Sequence, residues 1–300
     1  MSHVALLLAL LIQTGELRLA IEGEHGDVDA FPVDPLVDAM LLDHHLQLGL
    51  SMDPMGTKVD DVKRSGDSKN VTLALKPGTY HFRVKTGAGA IWLTNQKIDA
   101  AKPASQTVKI TAGGTVSGMC MLDKSRQEGK PMEGLKAALV RDGRVWARVE
   151  GKPGSAFEFK GVPAGTYALV VTETFEWFVA VKEDVRVEEG GSAPAKIDVK
   201  RASLGGVMVG FTDKAGKAAP PPDKVFLVDP KGRFAIAPNR GQSQGDVELV
   251  GWGGLPGGAG YVVRASGLEH KGLTLRPPTV KGQGIMADET YETVKVAVGK

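Results

Sequence analysis

Ten residues recur along this chain with the same order of apolar and polar positions. The segments are LKPGTYHFRV from Leu75, VPAGTYALVV from Val162 and, more loosely, LPGGAGYVVR from Leu255. In each, a turn rich in Pro and Gly leads to a tyrosine that opens an apolar/polar run. Proline presets its own φ and glycine accepts a positive one, so the turn is tight. Tyr80, Phe82 and Val84 face one way, and His81 and Arg83 the other. Tyr167, Leu169 and Val171 repeat the pattern, as do Tyr261 and Val263. A period of two predicts a strand with one buried face. A tyrosine at the start of such a strand buries its ring and returns its hydroxyl to nearby backbone, a tyrosine corner. Three of the four tyrosines occupy this position.

The repetition extends in both directions. A Gly-flanked strand precedes each motif: GELRLAIEG from Gly15, GGTVSGMCML from Gly113 and LGGVMVGFTD from Leu204. A charged alternating strand closes each unit, near Ile110, Val199 and Val296, which lie 30, 32 and 35 residues after the motif tyrosine. The chain therefore divides into units 15–112, 113–201 and 202–300, with 1–14 set apart. Units of this size are tandem domains, because the repeats of solenoids are ~20–50 residues long. The middle unit reads as about seven short strands with turn signals every 8–12 residues, the pattern of a β-sandwich; Asp142-Gly143 is one hairpin turn. The predicted fold class is all-β: three tandem antiparallel β-sandwich domains of transthyretin or immunoglobulin type. In the first unit LVDAMLLDHHLQLGLSM, from Leu36, can be read as helical. Leu46, Leu48, Leu50 and Met52 alternate, which predicts strand for its second half.

Composition agrees. Glycine (39) and proline (17) make about a fifth of the 300 residues, above the usual ~12%, which suits short strands and many turns. The net charge is +2, with 37 basic and 35 acidic residues and no block of one sign. That excludes the basic excess that nucleic-acid binding needs. One cysteine, Cys120, excludes an internal disulfide framework; within SGMCML it reads as a buried small hydrophobe. Val4 to Ile12 is an apolar run of signal-peptide length, too short to span a membrane. No basic residue precedes it, so a first strand or helix is the other reading. Export to the periplasm, the cell surface or the medium is favoured; a retained leader would leave the chain in the cytoplasm.

The middle unit resembles the carboxypeptidase regulatory-like domain, a transthyretin-like β-sandwich found in tandem in many bacterial surface proteins. The residues that carry the resemblance are GTVSG (Gly114–Gly118), EGKPMEGLKAALV (Glu128–Val140), AFEFKGVPAGTYALVV (Ala156–Val171) and the closing AKIDV. The first unit matches at its opening strand and at LALKPGTYHFRV. Its middle, AFPVDPLVDAMLLDHH, departs from the pattern. The third keeps GGVMVGFTDKAGKAAP, with Gly260 where Thr79 and Thr166 stand. The resemblance implies a non-catalytic accessory, linker or binding module. Hydrolases of the transthyretin type end in Tyr-Arg-Gly-Ser; this chain ends VKVAVGK.

Candidate chemistry is sparse. Asp43, His44 and His45 adjoin, but neighbours on a strand point to opposite faces, which separates His44 and His45 as metal ligands; His25 and His81, with Asp27 or Asp29, are the remaining contributors. They make the runner-up reading, a metal- or His-dependent hydrolase or an accessory region of one. GQSQG (241–245) matches the nucleophile-elbow string without its strand–turn–helix frame, and GWGGLPGGAG lacks the Lys-Ser/Thr of a phosphate loop. AAPPPDK from Ala218 reads as a loop between strands. Four rings follow the motif tyrosines at similar distances: Trp92, Phe175, Trp177 and His270. Rings at a sandwich apex stack on sugars or anchor a partner; in the competing reading each plugs the end of its own core. The sequence thus predicts no cofactor and no catalytic residue. It predicts a scaffold, adhesion or carbohydrate-binding protein, with a glycan or another protein as partner and no transmembrane span.

Overall fold

The computed structural model describes residues 14–298 except 24, 35, 37, 46–48, 54–57, 60–61, 68, 88, 101, 124–134, 152–155, 174–177, 245–246 and 282–287. Among the described residues there is no α-helix, only strands and one 3-10 turn, Arg201–Ser203.

The first repeat comprises β1 (Gly15–Glu22), β2 (Val28–Pro32), β3 (Met40–His45), β4 (Gly49–Asp53), β5 (Lys63–Gly66), β6 (Asn70–Leu75), β7 (Gly78–Thr86), β8 (Gly89–Ile98) and β9 (Ala104–Lys109). The second comprises β10 (Gly114–Leu122), β11 (Lys136–Arg141), β12 (Arg144–Glu150), β13 (Ala156–Val162), β14 (Gly165–Glu173), β15 (Phe178–Val187) and β16 (Ser192–Val199). The third begins with β17 (Leu204–Thr212), β18 (Ala218–Ala219), β19 (Val225–Val228), β20 (Phe234–Ile236), β21 (Arg240–Gln244) and β22 (Val247–Pro256). It continues with β23 (Gly258–Ala265), β24 (Leu268–Leu275), β25 (Thr279–Lys281), β26 (Asp288–Thr290) and β27 (Thr293–Ala297).

All three repeats are wired alike. The opening strand lies between an antiparallel neighbour, β6, β13 or β22, and the closing strand, β9, β16 or β27, which runs parallel to it. The facing sheet carries the motif strand between the strand that follows it and an earlier strand of the same repeat: β2-β7-β8, β12-β11-β14-β15, and β24-β23-β19-β20. Each motif tyrosine forms its corner. Tyr80 donates its hydroxyl to Lys76 O (2.9 Å), Tyr167 to Pro163 O (2.7 Å) and Tyr261 to Pro256 O (2.7 Å). The Asp142-Gly143 turn has positive φ at both residues, 51° and 69°, the requirement of a two-residue hairpin whose twist matches its strands.

A bulge also recurs. Against the following strand, each motif strand slips register just after its tyrosine. The residue before the tyrosine's partner is Asn95, Asp184 or Gly272, with φ of 53°, 58° and 82°. These are the residue types that enter the left-handed region at low cost.

Packing divides the chain differently from wiring. One compact unit takes Met1–Asp34 and Gly56–Ala112, the other Pro35–Met55 and Gly113–Lys300. The first has its own core of Leu17, Leu19, Leu73, Phe82, Val84 and neighbours. In the second unit, repeats two and three share one core. Ala138, Val140, Val170 and Val179 from repeat two pack in one cluster with Val209, Phe211, Leu227 and Trp252 from repeat three and with Met40 and Leu42. The β3–β4 hairpin continues the third repeat's sheet, β3 running parallel to β20. Within the segment 36–52, Gly49–Asp53 is strand, in the half where the alternation predicts it; 46–48 lie outside the described residues, and β3 makes strand of 40–45 as well. In the same unit Asp38 accepts from the buried Arg144.

Candidate functional site

Of the four ring residues singled out by sequence, Trp92 and His270 are among the described residues. Trp92 is 6% exposed, its ring 5.5 Å from that of Phe31, with the Arg83 guanidinium 5.9 Å from its centroid. It fills a packed layer of the first unit and offers no stacking face to solvent. Phe175 and Trp177 lie outside the described residues. His270 is half-buried on β24 opposite Val263.

His44 and His45 sit on β3 across from Leu50 and Gly49; their side chains lie outside the described residues. His81 is buried, and its Nδ1 accepts the Asn95 N–H (3.2 Å) at the bulge. His25 is half-buried, beside Gly23 O. Among the described residues no three His, Cys, Asp or Glu side chains group so as to hold a metal. Burial pushes the Cys120 thiol up to about 12, with Asp198 and Glu173 adding to it, so the sulfur is protonated at neutral pH.

Two buried aspartates instead anchor charge. Asp29, on β2, has a fully buried side chain ion-paired with Lys58 (2.8 Å), Arg83 (2.6 Å) and Lys85 (3.4 Å). Burial raises its pKa, but hydrogen bonds from Lys58 and Arg83 and the charges of Arg83 and Lys85 outweigh that and hold the carboxyl at about 2. Asp229 closes the β19–β20 turn. It accepts the Lys231 and Arg233 N–H groups (3.0 and 3.2 Å) and the Arg233 guanidinium, which also reaches Glu183. Burial pushes the Asp229 carboxyl up to about 6 against the pull of the Arg233 and Lys231 amides and the Lys231 charge. Both are structural ties, each carboxylate fully enclosed by partners on its own unit.

A pocket of about 460 Å³ opens in the third repeat. Its walls include Leu204, Pro277, Pro278 and Val280, and its polar side includes Arg201, Arg240, Glu289 and Tyr291. The site is built by a departure from the repeat. In repeats one and two the closing strand follows β8 or β15 after a short turn. In repeat three the β25–β26 hairpin intervenes between β24 and β27, and it carries Val280 and Glu289. Arg240 Nη2 donates to Glu289 Oε2 (2.9 Å) and to the Tyr291 hydroxyl (3.3 Å), and that hydroxyl donates to the same Glu289 oxygen (2.8 Å). The guanidinium also lies 5.1 Å from the Tyr291 ring centroid. Gly206 lets the Tyr291 ring lie against the β17 backbone: a Cβ there would overlap the ring. Asn239 fixes the wall by bonding both ways with the Gly253 backbone (3.0 and 3.1 Å).

The chemistry of this set is recognition. Burial pushes the Tyr291 hydroxyl up to about 12, Arg240 pulling it down and Glu289 pushing it further up. A phenol in that state is no base at neutral pH. Glu289 and Arg240 neutralise each other in a pocket with prolines on one side and polar side chains, Arg201 among them, on the other. Sequence reasoning missed it because Arg240 lies 49 and 51 residues from its partners Glu289 and Tyr291. One signal was present: Tyr291 is the single tyrosine outside the repeated motif.

No family model and no curated protein matches the chain, so membership of the carboxypeptidase regulatory-like family is not shown. Among solved structures, the Bacillus anthracis TIE protein is 14% identical, covering 95% of this chain and 50% of that one, with a TM-score of 0.24; the chain thus spans half that protein's length. A Streptococcal ancillary pilin is 12% identical over 95% of this chain and 98% of that one, TM-score 0.22. Two B repeat units of the collagen binding protein of Staphylococcus aureus are 13% identical over 94% and 74%, TM-score 0.19. Likeness at these TM-scores carries no conclusion about function. No helix among the described residues is long and apolar enough to cross a membrane.

Proposed function

We propose that this chain is a non-catalytic, tandem β-sandwich scaffold of the periplasm or cell surface, and that it holds a partner in the Arg240–Glu289–Tyr291 pocket. The observation that carries this reading is the placement of the pocket on a hairpin that interrupts the repeated wiring. Function tends to reside in insertions on a rigid frame, while the frame itself answers to packing. The mutual neutralisation of Arg240 and Glu289 favours a ligand that brings both donors and acceptors, a glycan or a polar peptide segment, over a simple anion. Trp92 has no part in the site; its place in a packed layer favours the core-plug reading of that ring.

A glycan array probed with wild type and Arg240→Ala tests the carbohydrate form. Spots bound by wild type and lost in the variant support it; silence from both removes it and leaves a protein partner or a purely structural role. The location is tested separately by mass spectrometry of the mature amino terminus. Removal of the apolar run Val4–Ile12 supports export, and its retention in the mature chain contradicts it.

A further inference from the structure

The first and last strands of every repeat lie side by side and point the same way. Leu17–Glu22 pairs with Ala104–Lys109 over six register positions, Thr115–Leu122 with Ser192–Val199 over eight, and Met208–Thr212 with Thr293–Ala297 over five. The chain enters each repeat at the amino-terminal end of the opening strand. It leaves at the carboxy-terminal end of the closing one. Tension on the chain therefore slides the two strands past each other along their common axis. The evenly spaced bonds of a parallel ladder then share the load, and they must fail together. We infer that each repeat is built to bear tension, and that the opening–closing strand pair is the clamp that resists a pull from end to end.

The ladders are bonded beyond their register ends. Ile110 N–H donates to Glu22 O (2.8 Å) in repeat one. Thr115 donates to Gly191 O (2.8 Å) and Asp123 to Val199 O (2.9 Å) in repeat two. Met208 donates to Glu292 O (2.9 Å) and Val298 to Thr212 O (2.7 Å) in repeat three. One face of each opening strand is in the core, through Leu19, Val116 and Val209, which shields that side of the bonds from water. The β25–β26 hairpin, which carries Val280 and Glu289 of the pocket, lies between the clamped strands in sequence, so tension reaches it only after the clamp yields. The inference goes beyond the binding proposal and stands without it, because it concerns only how the chain transmits force.

The test is single-molecule stretching of the full chain in two directions. In the first, the handles are on the two termini and every clamp is sheared. In the second, they are on the amino terminus and, through a Glu189→Cys substitution, on position 189. That position is exposed, and Cys120 is buried and does not compete for the handle. Gly113 and Glu189 lie at adjacent ends of β10 and β16, so the same ladder is now peeled one bond at a time. The expected result is a several-fold higher force for the first rupture of residues 113–300 between the termini than between the amino terminus and position 189. Equal forces in both directions would overturn the inference. Val298→Pro removes the bond to Thr212 at the edge of the third clamp. At constant load it should speed that repeat's unfolding about fivefold; an unchanged rate counts against the clamp.

Discussion

Arg83, Val170 and Arg264 occupy one position, three residues after the motif tyrosine, in repeats one, two and three. Their surroundings differ. Val170 is fully buried, whereas the side chains of Arg83 and Arg264 keep 23% and 29% of their exposure. The next outward position follows suit: Thr172 in repeat two is buried, while Lys85 in repeat one is half-buried and charged. The wiring is the same, so the difference comes from what covers the outer face of the motif sheet. In repeat two it is covered by the core shared with repeat three. A strand needs polar residues on its outward side only where that side meets water or ions. Apolar residues on both sides mark a sheet packed twice.

Val170→Asp is the most damaging change this contrast allows. It places an unpaired carboxylate in the shared core and should cost about 4 kcal/mol or more, unfolding repeats two and three together. Arg264→Asp, at the matching place in repeat three, should change stability by less than about 0.5 kcal/mol. Urea titration of both variants checks the pair, and similar costs would break the comparison.

Next comes Arg83→Leu. It strips Asp29 of two hydrogen bonds (3.1 and 2.6 Å) and leaves Lys58 and Lys85 in place. A loss of about 2 kcal/mol is expected, confined to the first unit and read by its own melting transition.

Tyr80→Phe, Tyr167→Phe and Tyr261→Phe each delete one hydroxyl bond and should each cost ~1 kcal/mol. Near-equal losses in calorimetry sharpen the claim that the corners are equivalent; a neutral substitution in one repeat removes that repeat from the set.

A further contrast lies in pH. Asp29 is held at about 2 in the fold, below its ordinary 3.8. Its contribution is complete above pH ~4 and is lost as pH falls toward 2. Asp229 is raised to about 6 from 3.8. Its native form prefers the proton, so the second unit gains stability as pH falls from above 6 toward 4. Opposite slopes for the two units, followed by fluorescence and hydrogen exchange, are the expected outcome, and parallel slopes contradict it.

The tyrosine corners and the opening and closing strands were legible because each follows from local chemistry: a tight turn, a ring with a hydroxyl, an alternating run. The sharing of a core between repeats two and three was visible only in retrospect. KAALVR and TYALVV are continuous apolar runs, unlike HFRVK, but a run of that length also fits an ordinary buried strand. The bulge was hidden because Asn95, Asp184 and Gly272 stand at different distances from their tyrosines, set by hairpin length. The β3–β4 hairpin, attached to a sheet whose other strands lie nearly 200 residues downstream, and the Arg240–Tyr291 pocket both depend on long-range pairing that no local pattern encodes.

Native-state hydrogen exchange on the intact chain, followed across sub-denaturing urea, addresses the central claim most directly. Amides of β14 and β23 should open together, at one free energy and with one urea dependence, while those of β7 open in a separate event. Three independent openings, one per repeat, would contradict the shared core of repeats two and three.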